Sequence, residues 1–368
     1  MAEFSKLSGD KGGLNESLAG FFRDMLEKDV VDAVMVPARQ PVKGVTQTLI
    51  ANPEECSMVD PFAPVVPVNS AKLVANLTSI PSGRPTAVVM RSCETRALTE
   101  LVKLKQANMD DLVVIGIDCL GRYENQDFMK LAQDGFDTSA FLESALNGGT
   151  KQEVGIDLAP ACKICEHPVA DNVDIRLCVI GSGPGDVYIE WTSEKGEAVR
   201  GKLGMEKGVQ ELEKERTGKR DQKLSEMDKT VSDLSRLDAH LAGCINCYNC
   251  RVACPMCYCK ECVFVTDTFR HPGDKYMSWS DRNGSVKMPA DTMMYHLTRM
   301  LHMSVLCVGC GQCTSACPNG IELTELFMSM ARKTQRRFDY EPGRSLEEPQ
   351  PLSVFYDDEF TEVTGQVK

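Results

Sequence analysis

The sequence has no long apolar run: no stretch approaches the roughly 20 residues that a membrane-spanning helix needs. Its opening, MAEFSKLSGDKGG, has no apolar core that could serve as a secretory signal. A cytoplasmic protein is the expectation. Basic charge is also short, with 41 Lys and Arg against 53 Asp and Glu, a net charge of −12. That deficit argues against nucleic acid, whose binding rests on counterion release by a basic surface. No paired acid and base and no activated nucleophile stands out.

Cysteine, by contrast, is abundant, at 17 in 368 residues. An odd number without a signal peptide is poor material for a disulfide framework. Most of these cysteines crowd between Cys244 and Cys317, which points to metal in a reducing compartment.

The length leaves room for two or three domains. Residues 1–204 alternate helical and strand-like segments. Leu18 to Glu27 and Ala97 to Gln106 have helical spacing, whereas Ala33 to Val36, Ala87 to Met90 and Leu112 to Ile117 are short apolar strand candidates. This is the βαβ rhythm of an α/β domain. Ile175 to Ile180 and Val187 to Trp191 flank a glycine-rich turn and predict a connected strand pair. Residues 205–242 are dominated by charge, with Leu224, Met227, Val231, Leu234 and Leu241 near one helical face. They predict a long linker helix, either solvated and packed on its neighbour or used for docking. Residues 243–335 form a cysteine-rich module. The tail, 336–368, is acidic and contains Pro342, Pro349 and Pro351; it reads as disordered or as ordered against a partner.

Cys244, Cys247, Cys250 and Cys254, followed by Pro255, follow C-x2-C-x2-C-x3-C-P. Cys307, Cys310, Cys313 and Cys317, followed by Pro318, repeat it. Such runs hold two 4Fe-4S cubes, the fourth cysteine of each ligating the other cube. Cys244, Cys247, Cys250 and Cys317 are thus assigned to one cube, and Cys307, Cys310, Cys313 and Cys254 to the other. Zinc would not require eight cysteines in this register. Gly309 and Gly311 suit a backbone that must approach the sulfides. In the long spacer Cys257, Cys259 and Cys262 either contribute to a further cluster or are reduced, buried thiols. His271, His296 and His302 read as ordinary helix or loop residues.

Val89 to Leu98, with Cys93 at a strand-to-helix turn, precedes Ile115-Gly116-Ile117-Asp118-Cys119, then Cys162-Lys163-Ile164-Cys165 and Val173-Asp174-Ile175-Arg176. With Ser193-Glu194-Lys195-Gly196, this succession resembles the beta-subunit family of coenzyme F420-reducing hydrogenases and F420-dependent formate dehydrogenases, over most of residues 45–200. The segment 254–262 is similar to formate-dehydrogenase-like members. Some relatives carry the ferredoxin module first; here it comes last.

The resemblance implies a third 4Fe-4S cluster on Cys93, Cys119, Cys162 and Cys165. A structural zinc on the C-x2-C pair, or unliganded thiols, is the alternative reading. Cys56 and Cys178 are expected in the core. The resemblance also implies FAD, with Asn69, Lys72, Arg91, Ser92, Arg96, Gly181, Ser182 and Gly183 as candidate lining residues. The expected architecture is an α/β flavin and cluster domain, a linker helix and an α-helical, ferredoxin-like dicluster module.

The implied protein is an electron-transfer iron–sulfur flavoprotein subunit of a hetero-oligomeric complex. It would relay electrons between a formate dehydrogenase or hydrogenase catalytic subunit and a hydride carrier: F420, NAD(P) or a heterodisulfide-reductase-type flavin subunit. The alternatives are an adaptor without flavin, or a thiol–disulfide protein using Cys257, Cys259 and Cys262.

Overall fold

The computed structural model describes residues 4–7, 13–41, 44–133, 135–146, 156–180, 186–205 and 234–353. The first part builds one mixed sheet of seven strands: β1 (Phe4–Leu7), β2 (Ala33–Gln40), β3 (Gly44–Ile50), β4 (Thr86–Arg91), β5 (Leu112–Ile117), β6 (Ile175–Cys178) and β7 (Val187–Trp191). Their order is β1-β7-β6-β5-β4-β2-β3. β2, β4, β5 and β6 are parallel neighbours, and the outer pairs are antiparallel.

The parallel core explains the apolar runs. β4 and β5 are buried on both faces, so neither shows the polar alternation of a half-exposed strand. Ala87 and Val89 of β4, with Val113, Ile115 and Ile117 of β5, face a core closed by α1 (Leu14–Glu27), α4 (Asn125–Gln133), α5 (Thr138–Leu146) and α7 (Glu194–Leu203). α1 presents Leu14, Leu18, Phe21, Phe22, Met25 and Leu26 to it, the spacing of one helical face. Val88 and Met90, with Leu112 and Val114, face α2 (Ser70–Thr78) and α3 (Ser92–Lys103).

That second core does not stop at the sheet domain. It continues through Leu237, Leu241, Cys250, Met256, Tyr295, Met303, Val308, Leu326 and Phe327. The cysteine-rich module is therefore packed on the α2–α3 side of the sheet. After α6 (Pro160–Lys163), the remaining helices are α8 (Leu234–His240), α9 (Asn249–Ala253), α10 (Gly273–Asn283), α11 (Thr292–Met303), α12 (Gln312–Ser315) and α13 (Leu323–Arg337). Among the described residues this module has helices and 3-10 turns but no strand. Cys56 and Cys178 are both core residues. Most of the expected linker helix, 206–233, lies outside the described residues.

The beginning of the tail differs from expectation. Residues up to 353 fold back on α3, around the fully buried Glu100. Its carboxylate accepts from Tyr340 Oη (2.6 Å), Gly343 N (2.7 Å) and Gln350 Nε2 (2.6 Å), and pairs with Lys103 Nζ (2.8 Å). The acidic composition hid a strap of neutral donors made for one carboxylate. Gly343 is required there: its φ is +82°, and a Cβ would lie 2.5 Å from Arg96 Cα. Residues 354–368 lie outside the described ones.

Candidate iron–sulfur sites

The first motif winds around a recess. Left-handed residues Asn246 (φ 51°) and Tyr248 (φ 60°) turn the chain between its cysteines. Cys244, Cys247, Cys250 and Cys317 line one cavity of about 320 Å3, walled by Ile245, Ile321 and Leu323. This is the crosswise grouping expected from the spacing. Contact between α9 and α12 brings the two motifs together.

Donors converge on these sulfurs. The backbone N–H of Asn246 reaches Cys244 Sγ at 3.4 Å, and His296 Nε2 lies 3.3 Å from the same atom. Arg299 Nη1 donates to Cys250 Sγ at 3.0 Å, and Tyr295 Oη is 3.3 Å from it. Donors to sulfur stabilise thiolates and set cluster potential. An apolar recess with four thiols and aimed donors suits an iron–sulfur cube.

Cys307, Cys310 and Cys313 form a second set. Burial raises the Cys310 thiol to about 12 and Cys313 to about 11; each has Cys307 among its neighbours. Cys313 Sγ lies 3.4 Å from Thr324 Oγ1, and Cys250 is another neighbour. Cys254 shares the Arg299 guanidinium as a neighbour with Cys307 and Cys313. Gly311 must be glycine: φ is +78°, and a Cβ would stand 2.6 Å from Ala161 Cβ.

The third set comes from the sheet domain. Cys93 lies in the first turn of α3 and Cys119 two residues beyond β5, both at the carboxyl edge of parallel strands, where α/β folds collect ligands. Cys162 sits in α6 and Cys165 just after it. Burial pushes the Cys93 thiol well above its ordinary value, with Glu94, Cys310, Cys119 and Cys165 adding to the rise. Cys162 is raised to about 12 by burial, against the nearby Arg122; Cys119 and Cys165 add to the rise. Cys93 and Cys162 thus each have Cys119 and Cys165 as neighbours, and the set adjoins the second through Cys310. Crowded buried thiols of this kind ionise when metal compensates their charge.

Among the described residues, no group of three or more His, Cys, Asp or Glu side chains converges closely enough to hold a single metal ion. Cys257 is half-buried against Met303 Sδ (3.4 Å) with Cys254 beside it, Cys259 is exposed and Cys262 is half-buried.

The flavin candidates disperse. Arg91 is buried, 3.6 Å from Cys119 Sγ and 3.4 Å from Gly121 O. It lines a recess with Glu94, Gln47, Ser70 and Val66. Asn69 caps α2 through Ala71 N, and Ser92 is buried. Lys72 donates to Val252 O, and Arg96 to Pro342 O (2.9 Å) and Val308 O (3.5 Å), so both face the module or its strap. Gly181, Ser182 and Gly183 lie outside the described residues.

Sequence reasoning missed α11, whose Tyr295, His296 and Arg299 touch cysteine sulfurs. His296 lies on this helix as a fully buried residue, its Nε2 beside Cys244 Sγ, because the spacer folds back over the first motif. His302 is exposed, and His271 packs edge-on to Tyr276 and Trp279. A Tyr-His-x-x-Arg pattern on a helix between two cluster motifs was the available signal.

Fold and site together define an iron–sulfur protein with a mixed α/β sheet domain and a C-terminal dicluster module. A family model described as a 4Fe-4S dicluster domain matches residues 240–321. More particularly, the chain is similar to beta subunits of F420-dependent formate dehydrogenases. It is 26% identical to F420-dependent formate dehydrogenase subunit beta of Methanocaldococcus jannaschii, covering 89% of this chain and 91% of that one. It is 25% identical to F420-dependent formate dehydrogenase 1 subunit beta of Methanococcus maripaludis, over 93% and 94% of the two chains. A chain of the F420-reducing nickel–iron hydrogenase complex of Methanosarcina barkeri is 14% identical with a TM-score of 0.44, over 64% of this chain and 94% of that chain. No helix among the described residues is long and apolar enough to cross a membrane.

Proposed function

We propose that this electron-transfer iron–sulfur subunit carries electrons along three 4Fe-4S clusters. The ligands would be Cys93, Cys119, Cys162 and Cys165; then Cys307, Cys310, Cys313 and Cys254; then Cys244, Cys247, Cys250 and Cys317. What supports the reading is their succession: Cys93 neighbours Cys310, and Cys313 neighbours Cys250. The clusters would supply one-electron chemistry. The protein supplies position, donors to sulfur and exclusion of water from the buried sites.

The partner we propose is a catalytic formate dehydrogenase or hydrogenase subunit in a hetero-oligomeric complex. The carrier is F420, with NAD(P) or a heterodisulfide-reductase-type flavin subunit as the alternatives. The names of the relatives support formate and F420. For FAD the support is the family resemblance. Cys257, Cys259 and Cys262 are read as thiols outside the three sites, Cys257 being partnered by Met303 and Cys254.

The test is reconstitution of the anaerobically purified chain with its catalytic partner, formate or hydrogen, and each carrier in turn. Bleaching of the F420 absorbance is expected. No bleaching with F420, alongside reduction of NAD(P), would overturn the F420 reading.

A further inference from the structure

Two arginines lie where neighbouring cysteine sets meet, and neither role follows from the cysteine motifs. Arg299, 5% exposed, holds Cys250 twice, through Sγ at 3.0 Å and the carbonyl oxygen at 3.2 Å. Its guanidinium is clamped over the rings of Phe327 (4.7 Å) and Tyr295 (5.6 Å). Cys250, Cys257, Tyr295 and Cys254 all lie around it. Cys307 and Cys313 have Arg299 among their neighbours too. One cation therefore faces thiols of both sets in the module.

Arg96 repeats the arrangement one step along. It is 7% exposed and reaches Val308 O, next to Cys307. Glu341 of the strap is its first charged neighbour, followed by Cys165, Cys93 and Cys307. Its other donor is fixed on Pro342 O of the C-terminal strap.

We infer that Arg299 and Arg96 are cationic bridges, each held between two successive cluster sites and raising the reduction potential of both. Reducing a cluster adds negative charge, and a fixed cation in a low-dielectric interior favours that state. Guanidinium suits the task because it stays charged at any working pH and its planar fork can serve two neighbours. Placed at a junction, it assists both clusters and lowers the cost of an electron standing on either side. These are positioning residues, and the inference rests on the three-cluster reading above.

The test is an electron-paramagnetic-resonance redox titration of the full chain, purified anaerobically, as wild type, R299Q, R299K, R96Q and R96K. In R299Q both module clusters should titrate lower while the third holds. The expected change is about tenfold in the reduced-to-oxidised ratio at fixed potential, about 59 mV for a one-electron couple. In R96Q the third and middle clusters should move and the distal one hold. The lysine variants should recover most of each shift. Full iron content with unmoved potentials in the glutamine variants, or a shift confined to one cluster, would overturn the inference. If a glutamine variant loses iron, its lysine variant decides. Wild-type-like iron and potentials there support a charge role, and iron loss equal to glutamine's overturns it. An iron count on the wild type keeps the two readings apart: too few clusters sinks the relay itself, whereas loaded clusters that ignore both arginines sink only the bridges.

Discussion

The sites at the two ends of the cysteine succession are built in opposite ways. The distal one draws Cys244, Cys247 and Cys250 from a single tight loop and leaves Cys247 exposed. The sheet-domain site draws Cys93, Cys119, Cys162 and Cys165 from three separate loops, brought together at the ends of β4 and β5. Around it Arg91, Arg96 and Arg122 are all buried. One site is made by local sequence and has an exposed cysteine; the other is made by topology, and all four of its cysteines are part-buried.

That contrast can be broken by mutation. Cys162→Ser should give the largest effect, removing about four irons and lowering the melting temperature, because its site lies where sheet and module meet. Cys247→Ser should also remove about four irons yet melt near the wild type. Equal thermal losses would erase the distinction. Next comes Glu100→Ala, which strands Lys103 and the donors of the strap. Urea unfolding should show a loss of about 3–5 kcal/mol, the usual result of removing one partner of a buried pair. Tyr340→Phe deletes one bond to the same carboxylate and should cost about 1.5–3 kcal/mol. At the small end, His302→Ala should change stability by less than about 0.5 kcal/mol, whereas His296→Ala should perturb the spectrum of the distal cluster.

Legibility followed the same divide. The two ferredoxin motifs and the distal grouping could be read directly, since their spacing is a local property. β4 and β5 were legible because strands buried on both faces are continuous apolar runs. β1 and β3 were not: they are short outer strands, and β3 mixes Thr46, Gln47 and Thr48 with its apolar residues. The third cysteine set needed a family resemblance, because only the crossing of the chain makes Cys93 a neighbour of Cys165. Arg299 and His296 were hidden for a related reason: their partners lie about fifty positions earlier, across a spacer whose return path no local pattern reveals. The strap escaped because its acidity masked Tyr340, Gly343 and Gln350, the donors that matter.

The central claim is that three cube-binding sites are linked through one chain. Iron and acid-labile sulfide should be counted on the anaerobically purified, full-length protein. About twelve irons and as many sulfides per chain are expected. About eight of each, unchanged by Cys162→Ser, would mean that the sheet-domain cysteines hold no cluster, and would contradict the account.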